Sequence, residues 1–286
     1  MIEMKNEFGI KLPQLEGNEF KVLSSFIQDN FGIKMPESKR IVLQGRLQKR
    51  LKALEIPDFK SYIDYLFGQN GKDEIVLMVN AVSTNKTDFF REPSHFDYLT
   101  KVILPSLTSN YRYKKVKIWS AGCSSGEEPY TLAIVLSEYK KQNANIDFSI
   151  LATDISTDVL HHGANAIYDE EKILTVPIDL RKKYFLRSKD QQQPKVRVIK
   201  ELRDKVTFCR QNFMDKTYQF DTDFDIIFCR NALIYFELSE QQNIINKFCK
   251  HLNQGGYFVL GHSETITNMN VPLKTIYSTI SQKVVG

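Results

Sequence analysis

Residues 17–80 carry apolar side chains at helical spacing, Phe20, Leu23, Phe26 and Ile27, then Leu43, Leu47, Leu51 and Leu54, with no run of period two. The spacing predicts a small helical bundle with turns at Phe31-Gly32, Ile56-Pro57-Asp58 and Gly68-Gln69-Asn70-Gly71. From residue 116 the pattern changes. VKIWSAG, FSILATD, FDIIFCRN and YFVLGHSE are short apolar runs, and PYTLAIVLSEYKK between the first two is helix-like. That alternation predicts an α/β unit, a parallel sheet covered by helices. Residues 81–113 read as a connector containing TNKTDFFREP and a helix through His95 to Leu107; Phe89, Phe90 and Arg91 together are unusual for a solvated tether. The alternation Lys195-Val196-Arg197-Val198-Ile199 predicts an antiparallel hairpin inserted at about 178–208, with Ser188 to Gln193 as its turn. The expected organisation is a helical domain over 1–80, a connector over 81–113, and an α/β domain over 114–286.

At 286 residues the chain is long enough for about two domains of roughly 150 residues. Thirty-nine Lys and Arg against 34 Asp and Glu leave a net charge of +5, too small a surplus to imply nucleic-acid binding. No apolar run reaches eighteen residues, and the start MIEMKNEFGIKL is charged, so a cytoplasmic protein without membrane insertion is expected, as a monomer. Cys123, Cys209, Cys229 and Cys249 form no C-x-x-C pair and are expected as buried reduced thiols. No metal site is expected: His161 and His162 are adjacent on one predicted helix, His95 and His251 read as surface or partly buried helix residues, and His262 as structural at a pocket edge. The charge is locally concentrated, because Ser38 to Leu54 holds six basic residues and no acidic one. Arg46, Lys49 and Arg50 share a face at i, i+3, i+4, which is either a solvated face or a docking face.

The first chemical signal is Ile118-Trp119-Ser120-Ala121-Gly122-Cys123-Ser124-Ser125-Gly126-Glu127-Glu128-Pro129-Tyr130. A strand there ends in a loop of small residues before a helix, which allows close approach of a ligand at the carboxyl edge of the sheet; a tight turn needs glycine for steric reasons too. The second is Asp154 at the end of the next strand, placed to accept ribose hydroxyls or to cap the helix that follows. Together the two favour the ribose. Neither G-x-G-x-x-G nor G-x-x-x-x-G-K-[ST] is present, and Glu127 and Glu128 would repel a pyrophosphate. A cofactor with ribose and adenine but no phosphate fits better, and S-adenosyl-L-methionine is the common one.

Several ordered blocks resemble the chemotaxis receptor glutamate O-methyltransferases, the CheR family: Thr84 to Glu92, Trp119 to Tyr130, Ala152-Thr153-Asp154-Ile155, Asn212-Phe213, Cys229 to Phe236 and Gly261-His262-Ser263-Glu264. The resemblance implies a Rossmann-like methyltransferase domain behind an all-helical one, with a small inserted antiparallel β-subdomain. It implies that Asn85, Thr87, Arg91, Gly122, Glu128, Asp154, Asn212, Phe213, Arg230 and Asn231 line the site for S-adenosyl-L-methionine, released as S-adenosyl-L-homocysteine. Arg91 and Tyr235 are implied near the reacting centre, though from the residues alone Tyr235 beside Ile234 and Phe236 reads sooner as a core aromatic. The implied substrates are glutamates on the cytoplasmic helices of chemoreceptors, docked by the helical domain through Arg46, Lys49 and Arg50. In some relatives the β-subdomain binds a receptor C-terminal pentapeptide; here its loop, Arg187 to Pro194, lacks the glycines such members carry. A nucleic-acid methyltransferase is the rival reading of the same chemistry, disfavoured because Arg230-Asn231 stands where an N-P-P-Y-type loop would be. A non-catalytic adaptor is the other, disfavoured by the presence of Asp154, Arg91 and Tyr235.

Overall fold

A computed structural model of the chain describes residues 13–109, 114–190 and 192–284. The charged N-terminal stretch read above, the end of the connector at 110–113 and Gln191 in the expected hairpin turn lie outside the described residues. The chain divides into two units, Met1–Thr84 and Asn85–Gly286.

The first unit is helical: α1 (Gly17–Phe31), α2 (Arg40–Ala53), α3 (Phe59–Leu66) and α4 (Gly71–Val82). Its core is the apolar seam of the sequence, with Leu23, Ile27, Leu43 and Leu47 fully buried and Phe26 and Leu54 half-buried at its margin. α1 stops where Gly32, at φ 69°, adopts the left-handed conformation and returns its N–H to the Gln28 carbonyl. The basic face of α2 divides. Arg50 makes a two-pronged pair with the buried Glu74 carboxylate of α4, at 3.0 and 2.7 Å, and Tyr62 donates to the same carboxylate. Arg46 donates to the Val82 and Ser83 carbonyls at the end of α4. Lys49 alone of the three is exposed.

The second unit begins with α5 (Ser94–Tyr98) and α6 (Leu104–Thr108), joined by a π turn at Leu99–Ile103. There follow β1 (Lys114–Ala121), α7 (Glu127–Gln142), β2 (Ile146–Asp154), α8 (Thr157–Asn165) and β3 (Ile167–Asp169). Next come α9 (Ile178–Tyr184), β4 (Phe185–Arg187), β5 (Lys195–Val198), α10 (Lys200–Arg203) and β6 (Val206–Arg210). The chain closes with β7 (Phe224–Cys229), α11 (Leu238–Lys250), β8 (Leu252–Leu260), β9 (Leu273–Tyr277) and β10 (Ile280–Lys283). The main sheet has the order β6-β2-β1-β7-β8-β10-β9. β6, β2, β1, β7 and β8 run parallel, and β10 pairs antiparallel with both β8 and β9.

Helices cover both faces, which is why the central strands read as nearly unbroken apolar runs. Val116 and Ile118 of β1 and Ile226 and Phe228 of β7 enter one core; Trp119, Ala121, Phe224 and Ile227 enter the other. Trp119 anchors the second core edge-on to Tyr218, Phe220 and Phe248, and its indole N–H reaches Thr153 Oγ1 at 2.8 Å.

The inserted sheet has three strands in the order β3-β5-β4, all antiparallel. Val196 and Val198 face inward as the alternation predicts. Its extent differs from the expected 178–208: β3 is recruited from 167–169, and β6, which that range partly includes, pairs with β2 in the main sheet. A three-residue strand leaves too short a pattern to be read. The thiols differ at one position as well, since Cys209 on the edge strand β6 is exposed whereas Cys123, Cys229 and Cys249 are buried.

Candidate functional site

Chain order reverses between β1 and β7: β2 and β6 extend the sheet to one side of β1, β7 and β8 to the other. In a parallel α/β sheet a ligand crevice opens at the carboxyl edge of such a switch point. Four loops meet here, after β1, β2, β6 and β7.

The loop after β1 approaches its neighbours as only glycine allows. Gly122 has φ 78°, and a Cβ on it would lie 2.9 Å from Ala232 Cβ and 3.8 Å from the Phe213 ring. Gly122 and Cys123 both donate their N–H to the Thr153 carbonyl, holding the loop onto the end of β2. Asp154 completes this junction. One carboxylate oxygen accepts Ser124 N–H at 2.9 Å and the other Ser156 N–H at 3.0 Å. The helix-cap alternative resolves accordingly, because the residue before α8 is Ser156 and Asp154 closes the turn that leads to it. Burial pushes the Asp154 carboxyl up from its ordinary value, against the pull of its backbone donors. With Ser124, Ser156 and Ile155 as its backbone donors, the carboxylate, which has about four lone-pair sites, retains some acceptor capacity for a hydroxyl donor.

Glu128, in the first turn of α7, accepts Ser120 Oγ–H at 2.7 Å and Arg230 Nε–H at 2.7 Å, with both charged groups buried. Arg230 follows β7 and its guanidinium packs against Phe96 and Phe228. Its Nη1 donates to the Arg91 carbonyl at 2.7 Å and to His95 Nδ1 at 3.2 Å. Since a guanidinium only donates, His95 Nδ1 is unprotonated and its Nε2 carries the hydrogen toward Thr279 Oγ1. Burial, followed by the Arg230 charge, pushes this imidazole down to about 4. His95 is fully buried, beyond the surface or partly buried helix position that its sequence suggested. Glu92, His95 and His262 bring ligand-type atoms within 4.8 Å of one another. The cation they face is the Arg230 guanidinium, whose Nη1 lies 3.5 Å from Glu92 Oε2.

The segment 85–91 joins through its backbone. The Asn85 carbonyl accepts Ser124 Oγ–H at 2.9 Å, Phe90 N–H donates to Thr131 Oγ1, and Arg91 Nη1 donates to the Lys86 carbonyl. Thr87 lies half-buried between them. From β6, Gln211 N–H donates to the Asp154 carbonyl, which brings Asn212 and Phe213 to the same edge. Phe213 is buried against Phe236 and Phe248, and the half-buried Tyr235 packs on the same core. Asn231, at φ 57°, donates its backbone N–H to Glu264. Of the ten residues expected around the cofactor, Asp154 ends β2 and Glu128 lies in the first turn of α7, and the other eight lie on the connecting segments. Arg46, Lys49 and Arg50 belong to the other unit and are not among them.

The donor set suits S-adenosylmethionine. The glycine cradle leaves room for backbone approach, Asp154 offers acceptors for vicinal hydroxyls, and Phe213 offers an apolar face beside an amide. Sequence reasoning did not assign a role to Ser120, Ser124, Glu92 or Glu264. Glu264 stood in a recognised block, but a carboxylate that serves backbone N–H groups leaves no side-chain pairing pattern to read.

Residues 85–281 match the family model described as the CheR methyltransferase SAM binding domain, and residues 18–83 the CheR methyltransferase all-alpha domain. A chemotaxis protein methyltransferase of Borreliella burgdorferi is 40% identical over 266 residues, covering 92% of this chain and 93% of that protein. Chemotaxis protein methyltransferases of Salmonella typhimurium and Escherichia coli are 34% and 33% identical, each over 255 residues, 89% of this chain, and 86% and 87% of their own lengths. With both units matched in order and S-adenosylmethionine as the cofactor of the larger one, the chain belongs to the CheR methyltransferase family.

Proposed function

We propose that the protein transfers the methyl group of S-adenosylmethionine to glutamate side chains of chemoreceptors, forming glutamyl methyl esters. The observation that supports this most is near full-length similarity, through both units, to proteins named chemotaxis protein methyltransferases. When bound, S-adenosylmethionine supplies a methyl group on a cationic sulfur, which leaves as the neutral thioether of S-adenosylhomocysteine.

A free glutamate side chain, with a pKa near about 4.3, is already ionised at neutral pH, so the acceptor needs no strong general base. What the chain supplies is orientation and partial exclusion of water. In this reading Asp154 receives the ribose, Asn212 and Phe213 the adenine, and Arg91 and Tyr235 orient the acceptor carboxylate. The charge of Glu128 is already balanced by Arg230, so its contribution to the methionine end runs through lone pairs not used by Ser120 and Arg230.

The test is incubation with methyl-labelled S-adenosylmethionine and purified receptor cytoplasmic domain, then treatment with base. An ester releases labelled methanol; base-stable label would reject the glutamate reading. Arg91→Ala is expected to lower kcat by about 100-fold, the low end of the range for a lost positioning or charge-stabilising group. Tyr235→Phe should lower it by less and leave cofactor affinity within a few-fold, whereas Arg91→Ala should also weaken cofactor binding, because Arg91 is read as lining both parts of the site. Unchanged rates would remove both from the reacting centre.

Receptor docking by α2 is part of this proposal, with a revised set of side chains. Arg46 and Arg50 hold α4, whereas Lys49 and Lys52 are exposed. Reversing both exposed charges, Lys49→Glu with Lys52→Glu, is expected to raise KM for receptor about tenfold at low salt without moving cofactor affinity. An unchanged KM would exclude docking through this face.

A further inference from the structure

We propose that Glu264 is a positioning residue for the methyl-transfer site, holding the turn that carries Asn231 and leads to Tyr235; the inference rests on the function proposed above. One oxygen of its carboxylate accepts the backbone N–H groups of Asn231 and Gly261, each at 2.8 Å. The other accepts Leu233 N–H at 2.8 Å and Ile234 N–H at 3.3 Å. Four main-chain donors from two loops thus converge on one buried side chain, tying the loop after β7 to the loop after β8. An ionised carboxylate is what such a set requires, because it accepts at every position and donates at none.

The geometry of Asn231 shows what the clamp imposes. Its backbone is left-handed at φ 57°, a conformation that asparagine tolerates better than other non-glycine residues and that the surrounding hydrogen bonds hold in place. Its side-chain amide lies 3.4 Å from Glu92 Oε1, which also takes His262 N–H at 3.3 Å. On the other side Gly261 presses close: a Cβ there would lie 2.6 Å from Asn231 Nδ2 and 2.9 Å from Asn231 N. Glu264 pulls the turn in and Gly261 lets it come. Tyr235 then sits at the end of the short 3-10 turn Leu233–Tyr235, whose first two N–H groups are both taken by Glu264.

Glu264→Gln keeps the volume but turns one acceptor into an amide donor aimed at two N–H groups. Calorimetry with S-adenosylhomocysteine should show Kd raised five- to fiftyfold, and receptor methylation should show kcat lowered at least tenfold, with KM for receptor within twofold. Gly261→Ala, which displaces Asn231 without removing an acceptor, should reproduce the same split, and it keeps the inference testable should Glu264→Gln fold poorly. Both constants within twofold of wild type in either folded variant, with only the melting temperature lowered, would overturn it. The calorimetric arm needs no receptor, so a wild-type protein that fails to esterify receptor would count against the proposed substrate and leave the clamp to be judged by cofactor affinity.

Discussion

Replacing Arg230 with methionine is expected to cost about 3–5 kcal/mol of stability and to abolish detectable cofactor binding. The magnitude follows from what remains behind. Methionine keeps the stem packed between Phe96 and Phe228 but leaves the buried Glu128 carboxylate without its cation. Breaking a buried pair from one side costs more than the pair contributes, because the surviving charge stays desolvated. The same substitution removes the donor from the Arg91 carbonyl and so releases the segment that carries Arg91. Thermal unfolding should show a drop on the order of 10 °C. Adding Glu128→Gln to Arg230→Met should recover part of the stability but none of the cofactor affinity, since the neutral amide no longer needs a counter-charge. A single variant within 1 kcal/mol of wild type, a threshold well below about 3 kcal/mol, would show that Glu128 finds compensation elsewhere.

Asp154→Asn should raise Kd for S-adenosylmethionine and S-adenosylhomocysteine alike by about 10–100-fold, equivalent to about 1.4–2.7 kcal/mol. Two losses add. Asparagine has one carbonyl oxygen, so either Ser124 N–H or Ser156 N–H faces an amide NH2, and the remaining acceptor cannot serve two ribose hydroxyls. The equal effect on both ligands distinguishes a ribose contact from any contact with the transferred methyl. Isothermal calorimetry of the purified variant reads it directly; an unchanged Kd would leave Asp154 with its loop-tying role alone.

The sequence carried the central strands of the fold plainly, because β7 is buried at every position and β1 along its second half, leaving short apolar runs, while β2 alternates buried and half-buried residues before its buried end. The helical unit was legible through the spacing of Leu43, Leu47 and Leu51. Where reading failed, the cause was local. Periodicity places Arg46, Lys49 and Arg50 on one face but cannot say that Glu74, 24 residues beyond Arg50, waits for one of them. β6 is an edge strand with only Val206 buried, so its pattern merged with the insert before it. Of the candidate site, the residues with recognisable chemistry were legible, Asp154 and the glycine loop above all. The groups that orient them were not, because Ser120, Ser124 and Glu264 act through single hydrogen bonds or through the main chain.

The switch-point arrangement also dictates when the site comes into being. Arg230 reaches back 102 residues to Glu128 and 139 to Arg91, and Glu264 closes the turn 33 residues before it. Contacts of such separation form late, since loop-closure entropy must be met before they return any stabilisation. During synthesis the helical unit emerges first and has its partners within reach, whereas the cofactor pocket stays open until β8 has been added beside β7 and Glu264 has left the ribosome. A nascent chain therefore displays its basic helix well before its cofactor site can close.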